Sequence, residues 1–344
     1  MNRTQLLIDF DSTIPNLALM KISAWVRAQG DRVVMRKHGN YHDIEDPDVI
    51  WLSCIFTWHA VEAYSVINML RLTYPKAEIF HGGTGFDFHL PLGDPGWKKL
   101  PTEIENMLPD YSIYEDDRAV GFCQRGCNRK CQFCVVWRKE GKIVDNPYHR
   151  LGEWVPPDRK KVILLDNDMS LAPRSIHDQI LGDAKDMGVK LSICQGYDIR
   201  TLAGKDGEDR AAMLADNKPW ALSFKERRLY IAWDYPGIEP YVRRGIERLL
   251  AAGFRGYQIR CYMITGYQST FEQDYHRFSV LWNEYKVYPY VMRYNNLAPK
   301  DHDERKFKRF VNRMLYKSCS WEDYIGNPDY WDGKAHAQLE DFVS

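Results

Sequence analysis

GFCQRGCNRKCQFCVV, residues 121–136, is the stretch from which the rest of the chain is read. Cys127, Cys131 and Cys134 stand in Cys-x3-Cys-x2-Cys spacing, close enough for three thiolates to converge on one inorganic site. Half of the chain's eight cysteines fall within these sixteen residues. Such a cluster, in a chain with no other sign of a disulfide scaffold, points to metal or redox chemistry rather than to stapling. Soft thiolates select zinc, copper(I) or iron-sulfur clusters. Three of them on one loop leave one position of a cuboidal cluster without a protein ligand, and an open iron is a place to bind and reduce something. Zinc is the competing account, with Cys123 as a fourth thiolate closing a tetrahedral site. Structural zinc sites usually pair two short cysteine knuckles, and no second knuckle occurs here.

Beyond the cysteines, strands and helices alternate. KVILLDN (161–167), KLSICQG (190–196), RLYIAWD (228–234), YQIRCYMITG (257–266) and YPYVMRYNN (288–296) read as strands. Between them, IEPYVRRGIERLLAAGF brings Tyr241, Val242, Ile246 and Leu249 to one side and ends at Gly253 as a C-cap. STFEQDYHRFSVLWNEYK opens with Ser269 and Glu272 at capping-box spacing and turns Tyr275, Phe278, Trp282 and Tyr285 inward. With AVGFC as the first strand, this makes six βα units. The expectation is a partial (βα)6 TIM-type barrel whose working face lies at the strand C-terminal ends.

Before the cysteines lies a second α/β pattern. TQLLIDF, RVVMRKH, DVIWLSCIF and AEIFHGGTG read as strands. The helix from Pro15 is expected to bury Leu17, Met20, Ala24 and Ala28 on one face before Gly30, and a second helix runs through HAVEAYSVINMLRL. This order predicts a small doubly wound parallel sheet. The Pro- and Gly-rich stretch from Phe86 to Tyr114 reads as a linker. The expected divisions are 1–117, a Rossmann-like domain and linker; 118–298, the partial barrel; and 299–344, a helical tail. In the tail Phe307, Phe310, Met314 and Leu315 interleave with six basic residues, as in an amphipathic helix packed on the barrel.

Over 344 residues, 47 basic and 47 acidic side chains cancel, so no whole-chain field draws the protein to nucleic acid or an anionic membrane. MNRTQLLIDFDSTIP lacks the apolar core of a signal peptide, and no run is long enough to span a bilayer. A cytoplasmic protein is the expectation. Cys54, Cys194 and Cys261 sit in apolar runs as small buried hydrophobes. His59, His81 and His89 have no partners at ligand spacing.

RGCNRKCQFC, with aromatic Phe133 before the third cysteine, resembles the cluster loop of the radical S-adenosylmethionine (SAM) superfamily. The resemblance covers about residues 118–297. It implies a 4Fe-4S cluster on Cys127, Cys131 and Cys134, with the amino and carboxylate groups of SAM on the fourth iron. It also implies an external flavodoxin- or ferredoxin-like electron donor, and cleavage of SAM to methionine and a 5'-deoxyadenosyl radical that abstracts hydrogen from a small-molecule or peptide substrate. Matched by position, Asp166, Asn167 and Asp168 fall where the family has a Gly-Gly-Glu type turn for the SAM amino group; the departure puts that contact in question. Gln195, Asp198 and Arg200 fall where ribose or carboxylate is met, and Gly266 where the backbone approaches adenine. Asp234 and Tyr294, also at strand ends, are candidates for the substrate pocket. For each the competing reading is a capped strand end or a surface salt bridge.

The small sheet domain, followed by Pro109, Asp110 and Tyr111, resembles the branch of that superfamily with an N-terminal cobalamin-binding domain. Ser53, Gly82 and Gly83 fall where that fold meets the cobalamin tail. The Asp-x-His-x-x-Gly segment that supplies a cobalt ligand is missing after the first strand, and DFHLPLG (87–93) echoes it only superficially. Two readings stay open: cobalamin bound without a lower histidine, as in a cobalamin-dependent methyltransferase, or a scaffold that no longer binds it. The second is preferred.

Overall fold

The computed structural model describes residues 3–39, 44, 46–87, 100–145, 150–294 and 302–327. His89, most of the DFHLPLG echo, Asn295 and Asn296, and the tail on either side of 302–327 lie outside them. The chain divides into two compact units, Met1–Arg118 and Ala119–Ser344.

In the first unit, β1 (Thr4–Asp9), α1 (Leu17–Ala28), β2 (Arg32–Lys37), β3 (Val49–Ser53), α2 (Ala60–Thr73) and β4 (Glu78–Gly82) build a four-stranded parallel sheet of order β2-β1-β3-β4. The continuous apolar runs of β1 and β3 are explained by burial on both faces. Leu6, Ile8, Ile50 and Leu52 pack with Ile67 and Leu70 of α2, while Leu7, Val49 and Trp51 pack with Leu19, Ile22 and Val26 of α1. Each such leucine or isoleucine contributes roughly 1.5–3 kcal/mol.

The buried side of α1 differs from the expected stripe. Leu19, Met20, Ile22 and Val26 are inside, together with Lys21 and Ser23, whereas Ala28 is exposed. Polar partners allow this. Lys21 Nζ meets Glu105 Oε1 at 2.7 Å, and Ser23 Oγ donates to Asp110 at 2.6 Å. Both acceptors lie in the Phe86–Tyr114 linker, which begins within the short helix α3 (Thr84–Asp87) and contains α4 (Thr102–Glu105).

The second unit starts with β5 (Arg118–Gly121, its first residue at the boundary), followed by a hairpin of β6 (Gln124–Arg125) and β7 (Val144–Asp145) around α5 (Val136–Lys139). Then come β8 (Lys161–Leu164), α6 (Arg174–Asp186), β9 (Lys190–Ile193), α7 (Ile199–Ala203), α8 (Gly207–Asn217) and β10 (Leu229–Ala232). The last part comprises α9 (Glu239–Ala251), β11 (Ile259–Thr265), α10 (Phe271–Ser279), β12 (Tyr288–Arg293), α11 (His302–Asn312) and α12 (Trp321–Gly326). Two three-stranded sheets result, β5-β8-β9 and β10-β11-β12. The β8–β9, β10–β11 and β11–β12 pairs are parallel, and one parallel bridge, Tyr197 to Ile231, lies between the sheets. The fold is therefore mixed α/β with parallel sheets.

Helix details sharpen two expectations. In α9 Val242, Ile246 and Leu249 are buried, but Tyr241 is half exposed. Thr270 and Gln273, not Ser269 and Glu272, close the capping box of α10, one residue later with the same spacing. The amphipathic α11 lays Phe307, Phe310 and Val311 inward, and Asn312 brackets the backbone of Val291 in β12.

Candidate active site

The cysteine loop is held by the end of β8. Asp166 Oδ1 accepts the backbone N–H of Cys123 at 2.7 Å and of Gln124 at 3.1 Å, and Asn167 Oδ1 accepts that of Gly126 at 2.8 Å. Gly126 has φ +85°, and a Cβ there would sit 2.2 Å from the carbonyl oxygen of Lys142, so only glycine fits. Cys127 N–H then donates to Gly141 O, Cys134 N–H to Cys131 O, and Trp137 Nε1 to the same Cys131 carbonyl. Arg125 pairs with Glu140 at 2.9 Å and lies over the Phe122 ring.

This arrangement turns Cys127, Cys131 and Cys134 toward one cavity of about 660 Å³. All three are free and half-buried, whereas Cys123 is fully buried, lies outside the cavity lining and has its thiol against Trp154. The backbone N–H of Arg129 points at Cys127 Sγ at 3.4 Å. Burial pushes the Cys127 thiol up to about 11, with Asp168 and the other two cysteines adding to it; burial raises Cys131 and Cys134 as well. Among the described residues no three His, Cys, Asp or Glu side chains are set to hold a metal ion as they stand. As a donor set, three soft thiols lining one cavity, with a backbone N–H on one sulfur, suit an iron-sulfur cluster, whose binding would displace their protons.

Strand C-terminal ends supply further polar lining. Asn167 and Asp168 follow β8; Gln195, Asp198 and Arg200 follow β9; Asp234 follows β10; and Tyr294 follows β12. Phe133 lines it too, edge-on to Tyr267 at 5.0 Å. Two expected residues lie elsewhere. Asp166 is turned beneath the loop, and Gly266 gives its N–H to Asp274 Oδ2 at 2.9 Å, outside the lining.

No protein-family model matches the sequence, and no curated protein does. The chemistry is accordingly read from the cavity itself. Asp198 caps α7 and takes two guanidinium groups, Arg200 at 2.7 Å and Arg129 at 2.8 Å. Burial alone would raise its carboxyl, but the two arginines outweigh burial and hold it below the usual range. Burial pushes Asp168 up to about 6 against its bonds from Ser170. Asp234 also rises to about 6, because burial exceeds the pull of Arg200 and Arg277. The sequence quoted Arg129 only as part of the loop; its signal was a cation between two cysteines. Tyr262, Met292 and Arg293 also line the cavity, and only their place in strands hinted at it.

In the first unit, the strand ends that would meet a corrinoid are occupied by their own neighbours. Tyr114 Oη donates to Asp9 at 2.8 Å, and Asn16 Nδ2 donates to Ser12 and Ser53. Gly83 presses on Cys54, where a Cβ would meet the carbonyl oxygen at 2.3 Å. These groups satisfy one another. His59 pairs with buried Asp11 at 3.2 Å, and His81 packs between Tyr64 and Phe86.

Proposed function

We propose that this chain is a radical SAM enzyme in which Cys127, Cys131 and Cys134 hold a 4Fe-4S cluster. One observation carries the reading: of the eight cysteines, these three alone line the cavity, together with the polar residues of successive strand ends. The two sheets are read as one curved surface, a partial (βα)6 barrel. The Tyr197–Ile231 bridge and the bond from Tyr197 N–H to Tyr230 O at 2.8 Å support that reading.

The cluster, when bound, supplies the low-potential electron for reductive cleavage of the SAM sulfonium. The chain's own residues orient and desolvate. Asp168 is the acceptor for the SAM ammonium group. Gln195, exposed with its amide free of short bonds, suits ribose hydroxyls or the carboxylate. Arg129 and Arg200, braced by Asp198, present positive charge to an acid group. Phe133 and Tyr294, backed by the Tyr267 ring, give the cavity an aromatic wall that excludes water. Cys123, buried and turned away, favours three thiolate ligands over a closed four-thiolate zinc site. The reading implies a reducing cytoplasm and an external electron donor. Among the described residues no helix is long and apolar enough to cross a membrane.

Anaerobic reconstitution with iron and sulfide tests it. The expected result is iron-sulfur absorption, a reduced-cluster EPR signal and 5'-deoxyadenosine formed from SAM. Zinc by metal analysis with no such absorption would refute it.

A further inference from the structure

Three carboxylates line the cavity, and they differ in what they already hold. Asp198 is engaged by Arg129 and Arg200, and Asp168 accepts Ser170 N–H at 3.0 Å and its hydroxyl. Asp234, half-buried at the end of β10, makes no side-chain hydrogen bond among the described residues. The two cations whose charge acts on it are committed elsewhere. Arg200 is bound to Asp198, and Arg277 to the carbonyls of Trp233 and Ile264 and to Asp274. A carboxylate that lines the cavity with no donor of its own has acceptor capacity for a ligand to take up, and a charge-assisted bond to a cation is among the stronger ones. Beside Asp234 stand aromatic rings. Phe133 and Tyr294 line the same cavity, and the Tyr267 ring contacts them at 5.0 Å and 4.9 Å. Aromatic faces add attraction for a cation.

We propose that Asp234 seats a cationic amine of the substrate, with its carbon skeleton against Phe133 and Tyr294. The substrate class is thus an amine with an apolar or aromatic body, held beside Cys131. This rests on the cavity being the reaction site, with Asp168 as the acceptor for SAM's own ammonium.

The test measures binding without turnover. Phenethylamine, its uncharged counterpart 2-phenylethanol, and SAM are titrated calorimetrically into the reconstituted full-length chain. The wild type is expected to bind the amine at least ten-fold more tightly than the alcohol. Asp234→Asn should abolish that preference, while Asp234→Glu and Asp168→Asn keep it. Unchanged affinity for the alcohol and unchanged melting show that the variants are folded. Equal binding of amine and alcohol by the wild type, or a preference that survives in Asp234→Asn, overturns the proposal. So does a ten-fold loss of SAM affinity in Asp234→Asn, because the seat would then belong to SAM's ammonium. Absence of 5'-deoxyadenosine formation would defeat the radical reading separately, leaving the binding result to judge the amine seat.

Discussion

Asp166 is a fully buried carboxyl that accepts two backbone N–H groups and leaves Oδ2 without a partner. Burial pushes it up to about 7 against those donors, from the ordinary 3.8. Between these values the folded chain keeps a proton that the unfolded chain has lost. Stability therefore falls as pH rises from about 4 to 7 and levels off above. Asp166→Asn removes this ionisation. Urea unfolding should show the wild type losing about 1.4 kcal/mol relative to the variant for each pH unit between 5 and 7; a constant difference would contradict it. The cysteines divide at the same scale. Alanine at Cys127, Cys131 or Cys134 should abolish 5'-deoxyadenosine formation by mass spectrometry. Cys123→Ala should retain it and lose about 1 kcal/mol of stability, as for a small buried hydrophobe. Spacing alone singled out that triad; the burial of Cys123 and the downward turn of Asp166 come from contacts made 43 residues apart in sequence.

At the scale of elements, the cysteine loop owes its shape to backbone bonds rather than to side-chain packing. Gly126→Ala forces a strained φ and a clash with Lys142. The expected result is reduced iron content after reconstitution, with melting little changed. The ends of β10 and β11 are joined to α10 by a different device. Arg277, fully buried, donates to the carbonyls of Trp233 and Ile264 and pairs with Asp274. Arg277→Met leaves Asp274 an uncompensated buried charge and should cost about 3–5 kcal/mol in urea unfolding. Element type and order were readable because periodicity and glycine placement are local. The capping box of α10 slipped by one residue because Ser269–Glu272 and Thr270–Gln273 carry the same spacing. The buried stripe of α1 differs from the expected one because Lys21 and Ser23 find half-buried partners in a linker more than 80 residues away.

For the whole molecule, each unit carries its own core. Ile50→Ala, in the core of the first unit, should cost about 2–5 kcal/mol in denaturant unfolding. The iron content of the reconstituted chain should not change, since all three cysteines lie in the second unit. From sequence come the alternation of strands and helices and the triad of cysteines. These depend on short-range spacing and on which runs are apolar. Folding alone settles which polar residues at the strand ends face the cavity and which support it. Asp166, Asn167 and Asp168 are neighbours of similar chemistry, yet one lies beneath the loop, one holds Gly126 at the rim, and one faces the cavity. Their roles depend on which way each side chain leaves the backbone and which distant donors it meets, and both are set by the packing of strands far apart in the chain.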